Sequence, residues 1–315
     1  MLAVASAEPA DHLEWRRTTV DGREAFYGTA GEGLAVVFLH GWALGQRSYR
    51  RALKRLVPLG CQVYAPAMPG FGGTPNLRHA PTFDGYAEWV AAFLDAVGVD
   101  EPAFVVGHSF GGGVAIKLAH DHPDRVRYLV LVNSVGGTTW SFANLVHSVT
   151  SRPPWTWPFR PPEDLVPVRY LRRMLPIIVE DAVPNLIRNP LGLLNVVNLV
   201  RRSDLLAELQ ELRRRELPVV VLWGDHDTVI PRASFAALCR AIGSEGEVVE
   251  GRHSWLLADP DAFGAILTNS IAVAKMAGEL EEEEQEEEGK GDAGPGLARR
   301  IARHVPLGQR QEPAS

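Results

Sequence analysis

Along most of the chain, short apolar runs of strand length alternate with stretches whose apolar residues recur at helical spacing. The run Leu34 to His40 (LAVVFLH) predicts a strand ending at Gly41. Cys61 to Pro66 predicts the next, with a helix between them over Tyr49 to Leu59. Further strands are expected at Pro102 to Gly107, Val126 to Val132, Pro218 to Trp223 and Glu247 to Glu250. Helical spacing marks Phe83 to Val97, Phe110 to His120, Arg232 to Ile242 and Pro260 to Met276. The alternation predicts βαβ units and a mostly parallel central sheet flanked by helices, an α/β fold. Ahead of these units, Trp15 to Ala30 reads as an antiparallel edge hairpin turning at Asp21-Gly22.

Between Thr138 and Glu216 the alternation stops. This segment holds the proline-rich RPPWTWPFRPP of Arg152 to Pro162 and then helical patches such as Ser203 to Arg215. It reads as a mainly helical lid inserted between two sheet strands, at the strand ends where such folds bind ligands. The expected division is therefore a core of residues 15–137 and 217–277, a lid of 138–216 and a tail of 278–315. Glu279 to Glu288 is nearly all glutamate and offers too little apolar surface to offset the entropy of ordering, so the tail is expected to be disordered.

Charge and composition narrow the function. The formal charge is −6, but the residues from Gly278 onward contribute ten acids and five bases, leaving about −1 for the rest. No basic field exists to attract nucleic acid. Two cysteines, Cys61 and Cys239, are too few for a disulfide framework and read as reduced core residues. The N-terminus has no basic stretch ahead of its apolar start, and no run of about 18 apolar residues appears, so neither a secretory signal nor a membrane span is expected. A cytoplasmic protein is the expectation.

The chemistry concentrates at four turns. Gly107-His108-Ser109-Phe110-Gly111 matches G-x-S-x-G between an incoming strand and an outgoing helix, the context in which serine is held on a strained turn as a nucleophile. A serine hydroxyl needs a base at neutral pH. His253, in Gly251-Arg252-His253-Ser254-Trp255, follows the last strand and opens at the same sheet edge. The base needs a carboxylate to hold its tautomer. Both Asp225 and Asp227 of Trp223-Gly224-Asp225-His226-Asp227 are candidates, and Asp227 is favoured because it lies two residues further into the loop. The oxyanion donors are expected to be the N–H groups of Phe110, directly after the serine, and Trp42, in the turn after the first parallel strand. His40, His108, Trp155 and Trp157 are expected around the substrate pocket. No metal or cofactor is called for.

The His40-Gly41 turn, the GHSFGG elbow, the WGDHD loop and the late GRHSW histidine together resemble the α/β-hydrolase superfamily, and its lidded esterase-like members in particular. The resemblance spans about residues 20–277. It implies hydrolysis of a small-molecule carboxylic ester through an acyl-enzyme. Carbon–carbon bond hydrolases and cofactor-free haloperoxidase-like enzymes share much of the pattern, and a non-catalytic binding protein of the same fold is the reading outside enzymes.

Overall fold

The computed structural model describes residues 13–137 and 176–288. Eight strands form one sheet in the order β1-β2-β4-β3-β5-β6-β7-β8. They are β1 (Glu14–Val20), β2 (Arg23–Ala30), β3 (Leu34–Leu39), β4 (Cys61–Pro66), β5 (Ala103–His108), β6 (Val126–Val132), β7 (Val219–Gly224) and β8 (Glu247–Val249). The pairs β1/β2 and β2/β4 are antiparallel, and all pairs from β4 through β8 are parallel. Each strand lies within about a residue of its expected place. The edge hairpin turns at Asp21 and Gly22, with φ of 51° and 74°, the positive pair that a tight two-residue hairpin requires.

The central strands β3, β5 and β7 read as near-continuous apolar runs because helices cover both faces of the sheet there. On one face Val37, Leu39, Val105, Leu129 and Leu131 pack against helices α2 (Phe83–Ala96) and α3 (Phe110–Asp121). On the other, Phe38, Phe104, Val106 and Val130 meet Phe263, Leu267 and Ile271, spaced by four along the last helix.

Two expected helices differ. The span Tyr49 to Leu59 breaks into 3-10 turns at Gln46–Tyr49 and Val57–Leu59 around a single α-turn, α1 (Arg50–Leu53). Pro58 disfavours helical backbone at the residue before it, and Gly60 ends the segment left-handed at φ 70°. The C-terminal helix, in contrast, runs through Glu288 instead of stopping near Met276. Glutamate is a good helix former, so a helix already nucleated on the core can continue through it. The expectation of disorder from Gly278 is corrected to that extent. Residues 289–315 lie outside the described residues.

Between β6 and β7 the described part of the insertion is helical. It comprises a π-helical turn at Ile178–Ala182, α4 (Val183–Arg188), α5 (Pro190–Arg201) and α6 (Leu206–Arg214). Residues 138–175, with Trp155 and Trp157, lie outside the described residues. Helices α7 (Arg232–Ile242), α8 (Trp255–Ala258) and α9 (Pro260–Glu288) complete the element order. No helix among the described residues is long and apolar enough to cross a membrane.

Candidate active site

Parallel pairing brings the functional loops together. Leu39 is in register with Gly107, so the turn after β3 lies beside the turn after β5. Strands β6, β7 and β8 follow in spatial order, and their C-terminal loops open at the same edge.

Ser109 joins β5 to α3 at φ 54° and ψ −116°, a conformation that L-residues rarely adopt. The turn is tight enough to require its glycines. A Cβ on Gly107 would stand 2.5 Å from the Gly111 carbonyl, and one on Gly111 would stand 2.2 Å from the Leu39 carbonyl. The strained turn lifts the Ser109 hydroxyl out of the strand, where its Oγ lies 2.9 Å from His253 Nε2. His253 Nδ1 lies 2.9 Å from Asp227 Oδ2. Ser109, His253 and Asp227 are thus joined in one hydrogen-bonded line.

Asp227 is fully enclosed at its side chain. Its Oδ1 accepts the N–H groups of Val229 (2.7 Å) and Ile230 (2.9 Å). Its Oδ2 accepts a short bond from Asn133 Nδ2 as well as the bond from His253. Burial alone would raise the carboxyl pKa. The charge and hydrogen bond of His253, with the bonds from Asn133 and Ile230, outweigh it and hold Asp227 below the ordinary carboxylate range. Asp225 turns elsewhere: its Oδ1 accepts the Gly251 N–H and pairs with the ring of His226. It ties the loop after β7 to the loop after β8.

The two histidines expected around the pocket serve different ends. His108 lines the cavity beside Ser109. Its Nε2 donates to the His253 carbonyl (2.9 Å), so its Nδ1 accepts from the Tyr49 hydroxyl (2.8 Å). Tyr49 in turn accepts the Gly41 N–H at 3.0 Å. One imidazole therefore braces three loops. Burial lowers its pKa to about 3, helped by the nearby His253. His40 is corrected: it is absent from the cavity wall. Its Nδ1 donates to the Gly41 carbonyl and its Nε2 accepts the Met68 N–H, and burial lowers its pKa to about 4. Its place is inside the loop, holding shape.

The cavity has a volume of about 210 Å³. Trp42, Phe110, Val135, Val197, Val200 and Ile230 form much of its wall, and no Asp, Glu, Lys or Arg among the described residues lines it. The backbone N–H groups of Trp42 and Phe110 donate to no acceptor among the described residues. Such an arrangement can bind an uncharged apolar group, raise a serine nucleophile against it and offer donors to an oxygen gaining charge. Sequence reasoning missed Tyr49 and Asn133. Neither belongs to a motif, and their partners lie 59 and 94 residues away.

A serine raised on such a turn at the edge of this sheet, with histidine and aspartate delivered by later strands, defines a hydrolase-class enzyme of the α/β type. The chain belongs to the alpha/beta hydrolase family, whose model matches residues 36–266. It is 31% identical over 223 residues to the pimeloyl-acyl-carrier-protein methyl ester esterase of Aromatoleum aromaticum, covering 63% of this chain and 82% of the relative. It is 27% identical to the 2-hydroxymuconate semialdehyde hydrolase of Pseudomonas putida, covering 78% and 89% respectively. The fold is also that of the enol-lactonase from Burkholderia xenovorans, with a TM-score of 0.66, 19% identity and coverage of 81% and 98%.

Proposed function

We propose that the protein is a serine hydrolase cleaving carboxylic esters of small to medium, partly apolar substrates through an acyl-enzyme. The observation that carries this reading is the Ser109–His253–Asp227 line opening into an apolar cavity with two free N–H groups. Ser109 Oγ attacks the ester carbonyl while His253 Nε2 takes its proton. Asp227 holds the ring with Nδ1 protonated and stabilises the imidazolium that forms. The Trp42 and Phe110 N–H groups receive the oxyanion. His253 then delivers the proton to the departing alcohol, leaving acyl bound to Ser109. Water activated by the same imidazole attacks the acyl carbonyl and releases the acid.

Two of the relatives support the ester reading by their own activities, one on a methyl ester and one on an enol lactone. The wall supports it for neutral acyl groups: a carboxylate in the cavity would find no cation among the described residues. The helical insertion acts as the lid in this reading, with Val197 and Val200 of α5 as its contribution to the pocket.

The test is labelling by a fluorophosphonate probe together with turnover of a p-nitrophenyl ester panel. Labelling lost in Ser109→Ala, with turnover of short to medium acyl chains, is expected. A protein that neither labels nor turns over any ester would be a binder on a hydrolase scaffold. Preference for a vinylogous diketone over every ester would move the reaction to carbon–carbon cleavage.

A further inference from the structure

The loop that carries the Trp42 N–H closes on itself only through a long turn bond, Leu44 N–H to the Gly41 carbonyl at 3.4 Å, and a second at Ser48 N–H to the Gly45 carbonyl at 3.2 Å. Ala43, the next residue, has φ 63°. An L-residue there costs roughly 1–2 kcal/mol, and glycine would adopt the same angle without that cost. Side chains of the insertion add further support. Asn185 of α4 is buried, at 5% exposure. Its Nδ2 donates to the Ala43 carbonyl at 3.0 Å, and its Oδ1 accepts the Gly72 N–H at 3.0 Å. The two partners fix the amide orientation, because a carbonyl only accepts and an N–H only donates.

Four residues earlier, on the same helical face, buried Asp181 accepts the Gly45 N–H (3.2 Å), the Ser48 N–H (3.0 Å) and the Ser48 hydroxyl (2.6 Å). From the other side, Trp42 Nε1 donates to the Leu193 carbonyl at 3.0 Å. The insertion thus holds Trp42, Ala43, Gly45 and Ser48 through residues 181–193. Upstream, Gly41 is fixed by Tyr49, so Trp42 lies between that anchor and Ala43 and its backbone follows a change at Ala43.

We infer that Asn185 is a positioning residue for the oxyanion loop: by holding the Ala43 carbonyl it keeps Ala43 left-handed and the Trp42 N–H aimed at the reacting carbonyl. The donor pair is then complete only while the 181–193 segment is seated. The inference rests on the proposed oxyanion role of Trp42. It makes the insertion part of the catalytic geometry as well as a wall over the pocket.

The experiment compares wild type, Asn185→Ala, Asn185→Asp, Ala43→Gly and the double variant Asn185→Ala/Ala43→Gly. Asn185→Asp keeps the shape and the acceptor for Gly72 but loses the donor to Ala43. Both Asn185 variants should lower kcat on a soluble p-nitrophenyl ester by about tenfold or more, up to the roughly 10²–10³ of losing an oxyanion donor outright. KM should stay within about twofold, because the cavity wall is intact. Phosphonylation of Ser109 should slow by the same factor as kcat. Against the Ala43→Gly single variant as its reference, Ala43→Gly should recover about fivefold in the Asn185→Ala background, since glycine removes the cost that Asn185 opposes. Amide exchange over residues 41–48 should quicken in both Asn185 variants while β5 exchange is unchanged, a readout independent of turnover. Unchanged exchange in 41–48, unchanged kcat, or absence of rescue by Ala43→Gly would overturn the inference. So would parallel losses in kcat, KM and Tm, which a merely structural residue gives. If wild type itself neither labels nor turns over, the functional reading fails, and the exchange comparison still decides the coupling.

Discussion

Asn133 and Asp227 meet at the carboxylate oxygen that also receives His253: Asn133 Nδ2 donates to Asp227 Oδ2 from the end of β6. Asn133 is 1% exposed and left-handed at φ 45°, a conformation asparagine tolerates better than most residues. Its amide is oriented from behind, because Trp255 Nε1 can only donate and does so to Asn133 Oδ1 at 2.9 Å. The direction of donation therefore runs Trp255 to Asn133 to Asp227, and the carboxylate accepts four bonds in all.

Removing that donor should cost turnover more than binding. Asn133→Leu has similar bulk and no N–H, so Asp227 loses a charge-assisted bond and gains freedom to turn. A loss of about tenfold to a hundredfold in kcat is expected, following the roughly 1.5–3 kcal/mol of bonds to charged groups. Trp255→Phe frees the amide to rotate and should give a smaller loss in the same direction. The double variant should be no worse than Asn133→Leu alone, because both act on one network. Steady-state kinetics alongside thermal melts would check this, and strictly additive losses would remove the network.

In the proposed mechanism the acid is Asp227, the carboxylate that meets His253, which makes the two aspartates of one loop separable. Asp227→Asn should lower kcat by about three to four powers of ten, because an amide neither stabilises the imidazolium nor enforces the Nδ1–H tautomer. Asp225→Asn breaks the tie to Gly251 N–H and the pairing with His226. It should lower Tm while leaving kcat/KM within a few-fold of wild type. The reverse ranking would move the acid to Asp225.

The two loops also show which information is local. The elbow was legible because its strand, turn glycines and helix are contiguous, and Gly107 and Gly111 are needed there for steric reasons visible in the spelling alone. Strands β4 and β6 and helix α7 fall on their expected ends, since buried apolar positions at strand and helix spacing mark them out between Gly and Pro boundaries. What was not legible depends on partners far along the chain. His108 occupies the variable position of its motif, and nothing nearby announces Tyr49. Asn133 and Asn185 are polar residues in apolar surroundings whose partners are supplied by other loops. The helix expected over Tyr49 to Leu59 failed for a local reason that was readable: Pro58 and Gly60 interrupt it. The continuation of α9 into the glutamate run follows from helix propensity, to which the acidic composition of the tail is blind.

Buried neutral histidines predict how stability depends on pH. His40 and His108 titrate near about 4 and about 3 in the folded chain, against about 6.5 when unfolded. Between those values the unfolded chain binds more protons, so stability falls as pH is lowered from about 6.5 toward 4. Each histidine contributes a slope of about 1.4 kcal/mol per pH unit at most. The depressed Asp227 acts lower: its contribution is present above the ordinary carboxylate range and is lost as pH falls through its folded value. Denaturant melts from pH 7.5 to 4.5 should show the decline, and His40→Gln or His108→Gln should flatten it even though each lowers stability at pH 7.5. A wild-type profile level across that interval would contradict the neutral state of both rings.

The proposed acyl site is bounded in part by α5, so α5 is expected to limit acyl size. Val197 and Val200 face the cavity from the insertion, while Val135 and Ile230 face it from the core. If α5 only anchored the segment, shortening or enlarging these side chains would change Tm and leave substrate choice alone. If it bounds the acyl site, Val200→Phe should remove space and lower kcat/KM for a longer acyl chain far more than for acetate. Val197→Ala should shift the ratio the other way. A hydrophobic pocket discriminates by roughly 1–3 kcal/mol per methylene, so a change of about tenfold or more in the long-to-short ratio is expected for one excluded methylene. The measurement is kcat/KM for p-nitrophenyl acetate, butyrate, hexanoate and octanoate on each variant, with Tm recorded beside it. A ratio unchanged in both variants, with Tm lowered, would leave α5 as an anchor and place acyl selection on the core residues alone.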